Sequence, residues 1–373
     1  MKDYKQINLM EVCGTHTMAI AKAGIKEMLP ENVKLLSGPG CPVCVTTQED
    51  IDVFLELSMR PGVVITTYGD MIRVPGSRQG DNLAARRALG ADVRVVYSPV
   101  DAVEIAASCP DKQVVFLGVG FETTAPGTAA AVGMAAAKGL GNFSVYSMLK
   151  KVEPALRALI NDSLFNVQGF IVPGHVAVII GEEGFRFLEK DYHIPSVITG
   201  FEAADIWKSI NRLIDKVRAG DGTLENAYTR LVRPAGNSLA LDAVDKFFEP
   251  SDAVWRGLGF IEKSGLALRA QYEDFDAVKK FGLAASGALS GSSVGAAVSD
   301  GVSGGAASGA ASYDRTRTGS ARELCRCGEI IKGLMEPSCC PLFGTACTPE
   351  DPVGPCMVSS EGACAASWRY RKV

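Results

Sequence analysis

Between residues 7 and 219 one unit recurs: a short run rich in β-branched residues, a loop of Gly, Pro and Thr, and then a helix-like stretch. The runs at 7–12, 33–36, 63–67, 93–97, 114–118, 143–148, 170–172 and 196–198 read as strands. The stretches 17–28, 48–59, 81–89, 100–107, 128–138, 154–161, 182–189 and 203–219 read as helices. The strands are apolar enough to be buried on both faces, which is the mark of parallel sheets covered by helices. This predicts an α/β fold with two parallel-sheet lobes facing a cleft. The first lobe is expected over 1–98 and the second over 99–236, with the break near Ser98–Asp101. From Asn237 the alternation fades into a C-terminal region, 237–373, in which 258–262 is one further candidate strand. Within it, 282–320 is dominated by Gly, Ala and Ser. Such a composition buries too little apolar surface to offset chain entropy, so a flexible surface insertion is expected. It lacks the strand–loop–helix context and the Lys-Ser/Thr pair of a phosphate cradle.

Cysteine usage sets the chemistry. There are 11 cysteines against 3 histidines: Cys13, Cys41, Cys44 and Cys109 lie early, and seven crowd into 325–364. The count is odd, and the N-terminus lacks a basic-then-apolar signal pattern. Both argue against a secreted disulfide scaffold and point to the cytoplasm. A net charge of −4 gives no general footprint for nucleic acid. No uncharged apolar run is long enough to span a bilayer.

Ligands of open parallel sheets collect at the carboxyl ends of the strands. Here those ends carry EVCGTHT with Cys13 and His16, GPGCPVC with Cys41 and Cys44, GFETTAP with Glu122, Thr123 and Thr124, and PGHV with His175. Cys41 and Cys44 form a C-x-x-C pair at a helix start, able to cycle between dithiol and disulfide or to bind a soft metal. Cys13 and His16 can bind Fe or Zn, or the imidazole can activate the thiol. Glu122, Thr123 and Thr124 read either as a helix cap or as acid–base and hydrogen-bonding groups. The tail, 325–373, has seven cysteines separated by Pro and Gly without paired C-x-x-C knuckles. That spacing favours an iron–sulfur wrap over a Cys₄ zinc site.

These motifs, in this order, resemble the HypD family of hydrogenase maturation factors, and the resemblance spans nearly the whole chain outside the Gly/Ala/Ser segment. It implies two α/β domains and a C-terminal [4Fe–4S] module, and a role in building the Fe(CN)₂CO unit of [NiFe]-hydrogenase. Its implied partners are a HypC-type chaperone that shares the iron and a HypE-type protein that supplies cyanide. Carried over by motif, Cys13 holds that iron, with His16 beside it. Cys41 and Cys44 are the redox pair facing the cluster, and Glu122, Thr123, Thr124 and His175 serve the diatomic ligands or protons. Cys327, Cys340, Cys347 and Cys364 are the expected cluster ligands, with Cys325, Cys339 and Cys356 as rivals. Met18 stands where the family often has a second histidine, and Ala177 where it often has a serine. Little precedes the first strand, so an N-terminal helix of the family is expected to be missing.

Overall fold

The computed structural model describes residues 6–283 and 324–370. Eleven strands are present among the described residues: β1 Ile7–Glu11, β2 Val33–Ser37, β3 Val63–Thr67, β4 Asp92–Val95, β5 Gln113–Gly120, β6 Phe143–Leu149, β7 Gly169–Pro173, β8 Ser196–Thr199, β9 Leu224–Asn226, β10 Phe248–Trp255 and β11 Gly259–Leu268. One sheet has the order β2-β1-β7-β8-β9 and a second β4-β3-β5-β6, and every pairing in both is parallel. β10 and β11 form an antiparallel hairpin. The parallel α/β class is as expected, and all eight expected strands are present.

The sheets do not divide the chain at Ser98. β1 lies between β2 and β7 and does not pair with β3, while β3 lies between β4 and β5. The first lobe is therefore interrupted by the whole of the second. The physical reason is that a strand buried on both faces has no polar side to reveal its neighbour. β3 is buried at all five positions and β7 likewise, so the pattern is satisfied equally in either sheet.

Local signals account for most helix ends. The helix after β1 was expected over 17–28 but runs Gly14–Lys22, because Gly24 adopts φ +62° and ends it. Ser98 and Asp101 form a capping box on the helix Pro99–Ser108. The stretch Gly174–Ile180, unread in the sequence, is a short helix holding His175.

The hairpin ties the lobes to the tail. Trp255 is buried, donates from Nε1 to Ser264 Oγ at 2.8 Å, and stacks on Phe121 at 5.8 Å. Burial of such a ring is worth roughly 2–3 kcal/mol. At the hairpin turn, Gly257 has φ +81°, and a Cβ there would lie 2.5 Å from Gly328 Cα, so only glycine lets the turn touch the helix Cys327–Ile331. Arg256 bonds the carbonyls of Val45 and Thr46 at 2.9 and 2.8 Å. Two further tail helices dock on the first lobe: Ala363–Tyr370 on Gly14–Lys22, and Pro355–Val358 on Pro42–Val45. The expected insertion, from residue 284 to 320, lies outside the described residues.

Candidate functional site

Each sheet has one point where neighbouring strands send their connections in opposite directions: between β1 and β7 in the first, and between β3 and β5 in the second. Such switch points open a crevice at the carboxyl ends. Cys13 follows β1 and His175 follows β7, and there the two side chains meet. Cys13 Sγ is 3.7 Å from His175 Nε2 and 4.0 Å from Nδ1, although 162 residues separate them.

Both imidazoles at this point are neutral. Burial lowers His16 and His175 to about 4. Each ring stacks on Phe201, at 4.6 and 4.8 Å between centroids. His16 Nε2 donates to the Gly200 carbonyl at 2.9 Å, so its Nδ1 carries the lone pair, and that buried atom has no hydrogen-bond partner. A neutral imidazole nitrogen left without a donor is the form that ligates metal. Burial, and then the Glu361 carboxylate, push the Cys13 thiol up to about 12. The thiol is therefore protonated at neutral pH until a cation draws the proton off.

The loop around Cys13 is held from several sides. Glu11 Oε2 accepts the Cys13 N–H at 3.0 Å, and its Oε1 accepts the Thr17 hydroxyl. Burial raises Glu11 to about 7. Thr15 donates to Glu361 at 2.8 Å. Gly40 packs so tightly that a Cβ would stand 2.4 Å from Cys13 Cα, which brings the Cys41 loop against the Cys13 loop. Cys41 and Cys44 form a disulfide, and Cys41 Sγ accepts the Cys44 N–H at 3.1 Å.

In the second lobe, Asp70 follows β3 and Glu122 follows β5. Asp70 Oδ2 accepts from Ser359 Oγ at 3.1 Å, Ser360 N at 2.8 Å and Ser360 Oγ at 2.7 Å. The segment 359–361 thus joins both switch points. Glu122 is not brought to Cys13 by any of its hydrogen bonds. Its Oε1 accepts the N–H of Val152, at the start of the helix Val152–Ile160, at 2.8 Å, while Oε2 is buried without a partner. Thr124 stands at the cap position of Ala125–Ala137 but makes no capping bond, and Thr123 is exposed.

Burial raises the Glu122 carboxyl from 4.5 to about 7. Between those values the folded chain holds a proton that the unfolded chain has released, so stability falls as pH rises through that window. Glu122→Gln is expected to exceed the parent in stability by roughly 1–3 kcal/mol at about pH 8 and to match it at about pH 4. Chemical denaturation at both pH values checks this; a difference that ignores pH would show that another group titrates.

In the tail, six thiols line one small pocket: Cys325, Cys327, Cys340, Cys347, Cys356 and Cys364, with Ile330, Leu342, Phe343 and Met357 between them. Cys339 is exposed and lies in a separate groove. Burial pushes Cys325 up to about 11 and also raises Cys347, and a hydrogen bond with Cys356, then burial, raise Cys327. Among the described residues, no three His, Cys, Asp or Glu side chains close on one point as ligands of a single ion do. The donor set of the pocket is all sulfur, with no imidazole or carboxylate. That suits an iron–sulfur cluster, which needs four thiolates.

Comparison with known proteins gives the family. The family model described as HypD, hydrogenase formation hypA family, matches residues 1–306 and 306–371. The chain belongs to the HypD family. It is 41% identical over 367 residues to the hydrogenase maturation factor HypD of Rhodobacter capsulatus, covering 98% of this chain and 90% of that one. It is 41% identical to HypD of Escherichia coli K12, covering 99% and 90%. The putative hydrogenase expression/formation protein of Methanocaldococcus jannaschii is 38% identical, covering 99% and 93%. Sequence reasoning missed several residues of this HypD-family site. Glu11 stands inside EVCGTHT and Glu361 inside the cysteine-rich tail, where the neighbouring cysteines are the stronger signal. Asp70 and Phe201 each follow a strand, and that position was their one available signal.

Proposed function

We propose that the chain is a redox-capable scaffold for [NiFe]-hydrogenase maturation, on which the Fe(CN)₂CO unit is assembled with a HypC-type chaperone and a HypE-type cyanide donor in the cytoplasm. It is more an assembly scaffold than a turnover enzyme. Family membership supports the pathway. The observation that carries the reading is the meeting of Cys13 and His175 at the switch point, beside the partnerless Nδ1 of His16. The incoming iron is the cargo. Cys13 offers it a thiolate once the proton leaves, and the partner chaperone supplies another. His16 Nδ1 is the imidazole donor, in the first turn of the helix that Cys13 precedes. His175, neutral and touching Cys13 Sγ, can take the thiol proton as the iron arrives. Glu361 adds negative charge beside the loop.

The thiol pocket fits a resident [4Fe–4S] cluster, held by Cys327, Cys340, Cys347 and Cys364, with Cys325 and Cys356 in the same pocket. When bound, such a cluster supplies single electrons at low potential. Cys41 and Cys44 store two electrons as a dithiol. The helix that carries them packs on the helix Pro355–Val358, which carries Cys356. That contact also favours the second reading, an iron–sulfur-dependent thiol–disulfide reductase that binds no iron beyond its cluster.

Iron and sulfide analysis with infrared spectroscopy, on protein purified anaerobically with and without the chaperone, separates the two. The scaffold gains iron and shows cyanide and CO bands in the complex. Cluster iron alone, with no diatomic-ligand bands in any complex, would leave the reductase.

A further inference from the structure

Cys41 and Cys44 are not equivalent. Cys44 is fully enclosed, whereas Cys41 keeps 5% exposure. Cys41 Sγ also has a polar neighbour from the far end of the chain: Ser359 Oγ, 318 residues away, at 3.5 Å. In the disulfide state that sulfur has no proton to give. Ser359 then donates to Asp70 at 3.1 Å and accepts the Glu361 N–H at 3.2 Å. Asp70 Oδ2 does not depend on this bond, because the Ser360 N–H and hydroxyl reach the same oxygen at 2.8 and 2.7 Å. The Ser359 hydroxyl is therefore free to rotate without leaving a carboxylate bare.

We propose that Ser359 is a positioning residue for the redox pair: its hydroxyl turns to the Cys41 sulfur on reduction and makes Cys41, not Cys44, the thiol that ionises. This rests on the redox reading of the pair given above. Reduction breaks the Cys41–Cys44 bond. Two electrons come from a dithiol reductant, which closes to its own disulfide, and its two protons end on the two sulfurs. Cys41 then loses its proton to water. A hydroxyl serves either form, accepting from the thiol or donating to the thiolate. The Cys44 N–H, 3.1 Å from the same sulfur, is a second donor to the thiolate. Cys44 keeps its proton, being fully enclosed. The tail thus completes a site whose cysteines belong to the first lobe, and Asp70, from the second lobe, anchors the segment that does so.

The test is iodoacetamide alkylation across pH of the full chain reduced with dithiothreitol, with Cys41 and Cys44 followed separately by peptide mass spectrometry. Ser359→Ala is expected to raise the Cys41 midpoint by about one pH unit or more, and to slow its alkylation about tenfold below the midpoint. Ser359→Thr keeps the hydroxyl and is expected to stay within about threefold of the parent. Asp70→Asn removes a negative charge near the sulfur, so the midpoint should stay or fall. An unchanged Ser359→Ala midpoint, equal damage in the Thr variant, or earlier ionisation of Cys44 would overturn the proposal. So would a rise of the same size in Asp70→Asn, which would reduce Ser359 to a docking contact. If the parent pair closes and reopens normally while Ser359→Ala matches it, this inference fails alone. If the parent pair never re-forms its disulfide once the reductant is removed, the redox reading fails with it.

Discussion

Replacing Cys340 or Cys347 by Ala is expected to bring the iron and acid-labile sulfide of anaerobically prepared protein to near zero, with loss of the cluster's visible absorbance. Both thiols line the six-cysteine pocket. Cys347 is buried and fixed from two sides: its sulfur accepts the Val353 N–H at 3.4 Å, and its own N–H bonds the Leu342 carbonyl at 2.8 Å. A sulfur so placed cannot be replaced by a distant spare without rebuilding the loop. Burial raises Cys347 and Cys325 above the usual thiol range, so a bound cluster must repay the cost of ionising them, and losing one ligand weakens that repayment. Cys339→Ala is the internal control. Its thiol is exposed and outside the pocket, so iron should stay at the parent level. Zinc in place of iron, without sulfide, would overturn the cluster assignment and leave a structural metal module.

The parts of this architecture carried by local chemistry were legible in the sequence. β-Branched runs gave the strands, and the C-x-x-C spacing gave the Cys41–Cys44 pair, which the structure closes as a disulfide. The cysteine-dense tail forms the sulfur pocket, which six thiols line, the four expected ligands and two of their three rivals, Cys325 and Cys356. What could not be read was everything that depends on which strand lies beside which. A division at Ser98 follows chain order, but β1 and β2 wait for β7. For the same reason the contact of Cys13 with His175 has no trace in spacing. Glu122 was expected among the chemistry-bearing groups because it follows a strand, and it does. Its carboxylate, however, accepts from Val152 at the start of the helix that follows β6. Asp70 and Ser359 carry no signal of their own, since single polar residues in loops are ordinary. They acquire meaning only when the tail is seen between the two switch points.

Cys13→Ala is expected to abolish the cyanide and CO bands of the complex with the chaperone, while the cluster and the Cys41–Cys44 disulfide persist. The separation follows from where the sulfurs sit. The tail thiols lie in their own pocket, and among the described residues Cys13 has no side-chain hydrogen bond to them or to Cys41. Its sulfur meets His175, with Thr15 and the His16 backbone beside it. Removing it therefore subtracts one thiolate from the incoming iron and nothing from the other two centres. Ala also leaves the backbone bonds intact: the Cys13 N–H still reaches Glu11, and the Gly14 N–H still bonds Gly40 at 3.2 Å. The thermal midpoint should move little, because one small buried thiol is lost, worth on the order of 1 kcal/mol. Cys41→Ala is expected to behave oppositely, keeping the cluster but losing the disulfide. Infrared spectra of the partner complex, with thiol trapping and iron analysis of each variant, give all three readouts at once. Intact diatomic-ligand bands in Cys13→Ala would end this division of labour and move the iron to the Cys41–Cys44 pair. That outcome would also change the meaning of Ser359, whose hydroxyl would then stand beside a metal ligand rather than a redox thiol.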